Sequence, residues 1–484
     1  MDKCPTIEIY QAIPRVSSRS GHTTDKSSRT GNIPSPLVHS TPHLVSTLKY
    51  SIPTPNLPHC VGNISSLHLG LGSVGKREPS CCDQPRIRWP VVIKDQPSCS
   101  NLQLTSKMPF TPIQTLVGAS MLGISAYHVL VLNGGVLGVS GFAHRTTSWV
   151  LFESRKYTRK PVPKGDVSDD VSPDPDHLAA LSIGGLLAGG LVLGFFHSSL
   201  ETQLQTQLVD IYRATSMTEA QAAGLVLAGM LVGVGSKLSN GCTSGHMLCG
   251  VSRLAPRSLA ATMTFFPVSV LTHLLLGRLS TFSLDLIPEQ PVGLPAWQLV
   301  LLLQLPVLAY RYGAAFFNGL VGERYARQIV SFATSFHFAL GLTVSGMLRP
   351  SKVLNFLRLT PISVKNSTWD PSLAMIILAG ILPQVIIWKI FLGSHVRRAD
   401  TRPAFANKWS VPMPGPEWWK GIDARLIIGA ALFGVGWGMC GICPGPATVL
   451  LGAAMTGEMQ SQLWKRVGLW AVGFVSGGLL GGMF

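Results

Sequence analysis

The chain has 484 residues, with 39 Lys+Arg against 23 Asp+Glu and a formal net charge of +16. Only 13% of its residues are charged and 46% are hydrophobic, whereas soluble domains average about 25% charged, and the mean hydropathy is +0.32. That composition excludes a disordered regulator and argues against a nucleic-acid binder, because few charges remain outside the hydrophobic runs to build a basic face. It points to an all-α polytopic membrane protein.

In chain order, residues 1–107 come first. They are rich in Ser, Pro, His and Thr, hold no sustained apolar run, and carry 12 Lys+Arg and 6 Asp+Glu. They read as a disordered tail. Two alternatives are a targeting segment and an extended gene model whose natural start is Met108. The membrane transport domain is expected over 108–484, where apolar stretches long enough to cross a bilayer recur. About nine spans are expected, at 110–132, 178–196, 219–236, 257–277, 296–318, 329–345, 371–393, 424–440 and 465–483.

Between these lie Gly-rich pieces that are apolar yet too irregular to span: NGGVLGVSGF (133–142), SNGCTSGHMLCG (239–250), TVSGMLRPSKV (343–353) and GICPGPATVLLG (441–452). Irregular backbone at membrane depth survives only where protein buries it or it lines a cavity. Broken hydrophobic segments therefore point to a transporter binding site. The pieces also repeat in order. Ser140 precedes Cys242 by 102 residues, and Ser345 precedes Cys443 by 98. This divides the domain into repeat 1 (about 108–277), a connector span (296–318) and repeat 2 (about 329–484). Four spans in each half and one between them predict two inverted repeats with re-entrant half-helices. With loop 143–177 cytoplasmic, the loops on its side hold 17 Lys+Arg and the opposite loops 8, in the sense of the positive-inside rule. The plasma membrane is the expected location, with an organelle membrane as the alternative.

Four cysteines, Cys242, Cys249, Cys440 and Cys443, lie inside hydrophobic sequence. Gly241 and Gly245 flank the first and permit close backbone approach to a ligand. Thr243 and Ser244 would open a short helix whose N-terminus favours an anion. On an α-helix Cys242, His246 and Cys249 would share one face, at i, i+4 and i+7. Cys443 precedes Pro444 and Pro446, which suit a helix's first turn, so it is the counterpart of Cys242. The bland alternative is that these thiols are small buried hydrophobes. A soft-metal transporter is a second alternative, from the Cys-x3-His-x2-Cys spacing, although zinc ligands usually come as close Cys pairs. The third is a site for a sulfur anion, held by thiols and helix N-termini without fixed charge and therefore weakly enough to be released.

At these residues the chain resembles the YeeE/YedE sulfur-transport family, in its fused form with two cysteine segments. The resemblance rests on SNGCTSGHMLCGVSRLAPRSLAATMTFF (239–266), NGGVLGVSGF, FHFALGLTVSGMLRPSKVLNF (336–356), WDPSLAMI (369–376) and GVGWGMCGICPGPA (434–447), and covers about 108–484. It implies uptake of thiosulfate or a related sulfur species, passed along a narrow pathway by S–H hydrogen bonds. Cys242 matches the family's central cysteine, Cys443 that of its second-half CPG segment, and His246 with Cys249 its GHxxCG pattern. The family's thiosulfate carriers also place a cysteine early in repeat 1. Here GVSGF offers Ser140, matched by Ser345, so sulfide, sulfite or another small sulfur compound stays open beside thiosulfate. No cofactor is expected. The expected partners are a small sulfur-containing anion, the lipid bilayer and an intracellular sulfur-accepting enzyme, with no nucleic acid. The alternative from a different class is a membrane sulfurtransferase that carries a persulfide on Cys242. His128, His197 and His337 read as capping or packing residues, and Asp370 as a helix cap. No Walker A motif is present.

Overall fold

The computed structural model describes residues 111–158, 174–210, 217–276, 293–359, 369–398, 400–411, 421–456 and 460–484. The segment read as a tail lies outside them. Every regular element among the described residues is helical.

Residues 112–276 form α1 (Pro112–Asn133), α2 (Val139–Thr158), α3 (Leu178–Leu204), α4 (Glu219–Leu238), α5 (Thr243–Val251) and α6 (Pro256–Leu276). Local chemistry sets their ends. Pro112 opens α1, and Gly134 closes it in the left-handed region at φ 69. A reciprocal Thr218–Gln221 capping box opens α4. α5 is not an ordinary α-helix, because it winds with the wider π-type turn. Helical residues 297–313 then form α7, in short pieces broken at Leu305–Pro306.

The described residues from 314 onward form α8 (Ala314–Val344), α9 (Pro350–Leu357), α10 (Pro371–Val396), α11 (Ala424–Cys440), α12 (Pro444–Ala453) and α13 (Gln460–Gly481). Asp370 caps α10 by accepting from Ser372 N at 2.8 Å, and Asp423 caps α11 through Leu426 N.

Among the described residues, five helices are long and apolar enough to cross a membrane: α1, α3, α4, α6 and α10. α11 and α12 together make a sixth, bent by 43° at the break between them. The remaining expected spans fall short of that test for a physical reason. α8 carries Ser331, Thr334, Ser335, His337 and Thr343 along its second half, all buried in the bundle. α13 carries Lys465 and Arg466 together with five glycines. The 296–318 connector is interrupted rather than continuous.

The helices cross closely where residues are small. α1 meets α8 at Gly118, where a Cβ would stand 2.3 Å from Ser345 N, and α4 meets α11 at Gly429, where one would stand 2.5 Å from Ser239 N. Such backbone contact is how helices associate in lipid, where apolar side chains gain nothing by avoiding the solvent. Around these crossings α4 also packs on α13, and α11 on α6. Likewise α8 packs on α3, and α1 on α10.

Candidate functional site

The two cysteine segments have the same backbone. α4 ends just before Asn240, at φ 58, and α11 ends just before Gly441, at φ 68. Both positions are left-handed, which Asn and Gly tolerate best. Two residues later the chain is extended, at φ −130 in Cys242 and φ −124 in Cys443. Each cysteine then serves as an N-cap. Its carbonyl accepts the first helical bond, from His246 N at 2.8 Å in one half and Ala447 N at 3.0 Å in the other. The break between helix end and helix start takes four residues in the first half and three in the second, where the two helices are bent by 43°, and it leaves a cysteine at each break.

The two thiols line one cavity of about 40 Å³. By that measure a single water needs roughly 10–15 Å³, so the space suits a small ion. α5 contributes Cys242, Thr243, Ser244, Met247 and Leu248; α12 contributes Cys443, Gly445 and Pro446. Leu122 from α1, Phe338 and Leu342 from α8, Met347, and Ile376 from α10 close the sides. Thr243 Oγ1 donates to Cys443 Sγ at 3.7 Å, which joins the two half-helix starts directly. Cys242 Sγ lies 3.3 Å from Ser244 Oγ, which in turn accepts from Val139 N at the start of α2.

The lining holds four sulfur atoms and no Asp, Glu, Lys, Arg or His. The lining is almost wholly apolar, and its polar side chains are the two thiols and the hydroxyls of Thr243 and Ser244. The first-turn amides of Thr243, Ser244 and Gly245 have no acceptor earlier in their own helix. α12 offers fewer, since Pro444 and Pro446 have no N–H and leave Gly445 as the first-turn donor. The first half therefore presents more first-turn amides than the second.

Other residues singled out by sequence lie off the cavity. Cys249 donates to Leu137 O at 3.6 Å, beneath the start of α2. The α-helical face expected for Cys242, His246 and Cys249 does not form, because the π-type winding of α5 takes more residues per turn and carries Cys249 round. His246 is clamped: Nε2 donates to Ser239 O at 3.1 Å, and Nδ1 lies 3.2 Å from Ser258 Oγ. Gly241 makes room for that ring, since a Cβ there would stand 2.6 Å from Nε2. Gly245 passes Gly138 Cα, 3.9 Å from its Cβ position. Cys440 donates back to Gly436 O at 3.4 Å within α11. Ser140 and Ser345 are buried and outside the lining, and Ser345 Oγ bonds Leu342 O. Among the described residues no three His, Cys, Asp or Glu side chains converge as metal ligands.

Sequence reasoning passed over Met247 and Met347, which read as ordinary apolar residues. The signal for Met347 is the likeness of two short segments, TVSGM carrying methionine at the place where GVSGF carries Phe142.

The family model described as Sulphur transport matches residues 86–270. A second model, described as a family of unknown function (DUF6691), matches residues 326–476. A probable transporter of Xylella fastidiosa strain 9a5c is 33% identical over 129 residues, which are 27% of this chain and 77% of that protein. The chain belongs to the sulphur transport family. Another probable transporter of the same strain is 29% identical over 163 residues, 34% of this chain and 93% of its own length. No solved structure matches. Membership makes the chain a membrane transport protein, consistent with its apolar helices.

Within this sulphur transport protein His246 holds the turn beneath Cys242. Replacing it by alanine leaves Ser239 O and Ser258 Oγ without their partner. The expected loss is about 1–3 kcal/mol of stability, read as a lower thermal unfolding temperature in detergent, with uptake per folded molecule retained. An unchanged unfolding temperature with uptake abolished would assign His246 to the pathway instead.

Proposed function

We propose that the chain is a multi-pass protein of the plasma membrane that passes a small sulfur anion, thiosulfate or a close relative, between the thiols of Cys242 and Cys443. The observation that carries this reading is the single cavity lined by both thiols, both half-helix starts and two thioethers, without a fixed charge. A soft, polarisable sulfur matches such a lining. Weak S–H and amide donors replace part of the anion's hydration without trapping it.

An inverted repeat is the architecture proposed for it. The exchange of packing partners supports this: α4 on α13 corresponds to α11 on α6, and α8 on α3 to α1 on α10. The matched left-handed residues Asn240 and Gly441 support it as well. The matched lengths of the relatives, 129 and 163 residues, approach the size of one repeat. Facilitated passage down a gradient, drawn by an intracellular enzyme that consumes the sulfur, needs no further machinery in the chain.

The test is uptake of labelled thiosulfate, sulfite and sulfide into vesicles containing the full chain. At least one of the three enters faster than into empty vesicles. If none does, the substrate class is wrong. A persulfide trapped on Cys242 during turnover would favour sulfur transfer over passage.

A further inference from the structure

Beside the cavity, on the side where α1 and α10 begin, lies a buried charge that the thiol pathway does not use. Lys352 of α9 is 3% exposed. Its Nζ donates to Thr111 Oγ1 and, at 3.2 Å, to Thr115 Oγ1. No carboxylate among the described residues pairs with it directly. Asp370 is held behind Ser372, whose hydroxyl donates to Asp370 Oδ1 and accepts from Thr111 N at 3.0 Å. The neighbouring Arg349 is different, since it meets Asp210 at 3.8 Å. An ammonium has three donors, and two of those on Lys352 go to threonine hydroxyls. The lysine side chain packs directly against Gly346, a residue at φ 76, where a Cβ would stand 2.9 Å from its Cδ and 3.0 Å from Nζ.

This cluster continues the faces that line the cavity. Thr115 and Leu122 are seven residues apart on α1, nearly two turns and about 10 Å on one face. Ser372 and Ile376 are one turn apart near the start of α10. Met347, which lines the cavity, directly follows Gly346. The corresponding place in repeat 1, counting from Ser140 as from Ser345, holds Thr147, whose hydroxyl bonds Ala143 O. The charge therefore exists at one end of the pathway. A buried cation in a membrane protein, with no carboxylate among the described residues bonded to it, is a functional-site hypothesis.

We propose that Lys352, with the hydroxyls of Thr111, Thr115 and Ser372, forms an oxyanion-binding station that receives a tetrahedral sulfur oxyanion before it reaches the thiols. The inference rests on the transport reading and deepens it. In the orientation with loop 143–177 cytoplasmic, the station is on the outer side. It recognises charge and oxygen, while the cavity recognises soft sulfur. Sulfate should therefore bind the station without being passed on.

Inorganic sulfate is the probe, titrated calorimetrically into the full chain in detergent. Wild-type protein binds it, Lys352→Gln weakens binding about tenfold or more through loss of a charge-assisted bond, and Lys352→Arg retains most of it. Wild-type protein that binds no sulfate, or a folded Lys352→Gln variant that binds it equally well, overturns the proposal. If Lys352→Gln does not fold, Thr115→Val is titrated in its place. That variant keeps the ammonium and loses a hydroxyl; weaker sulfate binding supports the station and unchanged binding contradicts it. Thiosulfate uptake is measured separately on the wild type, so a failure of the transport reading is seen apart from a failure of the station.

Discussion

Thiosulfate uptake into vesicles is expected to fall at least about tenfold when Cys443 is replaced by alanine, and similarly for Cys242→Ala. Each thiol is the polar group that its half-helix start presents to the cavity. Removing one withdraws a hydrogen-bond donor worth about 1 kcal/mol or more to an anion that has shed water. A barrier raised by about 1.4 kcal/mol slows passage tenfold. Alanine also enlarges a cavity of about 40 Å³, so the anion meets the wall less closely. Serine is expected to be milder, because its hydroxyl still donates although it is a harder partner for sulfur. Alanine at Cys249 or Cys440, whose thiols bond backbone carbonyls away from the cavity, should leave uptake within about twofold, a difference of less than 1 kcal/mol. Equal losses at all four cysteines would show that the thiols act through packing alone.

The second large effect is structural. Gly190 of α3 and Gly452 of α12 meet backbone to backbone. A Cβ on Gly190 would stand 2.0 Å from Val449 O, and one on Gly452 would stand 2.2 Å from Leu187 O. This contact seats the half-helix that begins at Cys443. Gly190→Leu is expected to cost about 1–3 kcal/mol or more by overpacking, seen as a lower thermal unfolding temperature in detergent. Uptake should fall further than stability explains, because α12 has to move to admit the side chain. Gly319→Ala, at a position with nothing within 4 Å of the added atom, is the control and should be neutral. An unfolding temperature for Gly190→Leu equal to that of the control would mean that α3 and α12 are not in this contact.

Much of this arrangement was legible in the chain because its cause is local. Gly-rich breaks inside apolar runs mark where a helix stops at membrane depth, and Asn240 and Gly441 stand where the left-handed turns occur. Cys443 before Pro444 announces a helix start. Other features depend on contacts that no local pattern encodes. The π-type winding of α5 follows from its packing, with Val139 N bonding Ser244 and Leu137 O receiving Cys249. It separates residues that an ordinary helical turn would have aligned. Met247, Met347, Leu122 and Phe338 carry no motif, and tertiary packing alone brings them to one cavity. Arg349 and Lys352 sit at the edge of a polar stretch and count as loop charges by sequence; the fold buries both. Helices such as α8, which carry polar side chains turned into the bundle, fall outside the helices that are apolar and long enough to cross a membrane by themselves.

Cys242 and Cys443, one from each cysteine segment, line the same small cavity. A variant that retains only Cys242 and Cys443 of the nine cysteines, titrated with Cd²⁺ and examined by X-ray absorption, tests it most directly. One Cd²⁺ is expected to bind per chain through two thiolate sulfurs, with uptake blocked and then restored by chelation, and the site is lost when either cysteine is changed to serine. Two thiols that bind Cd²⁺ independently, each with a single sulfur ligand, would contradict it.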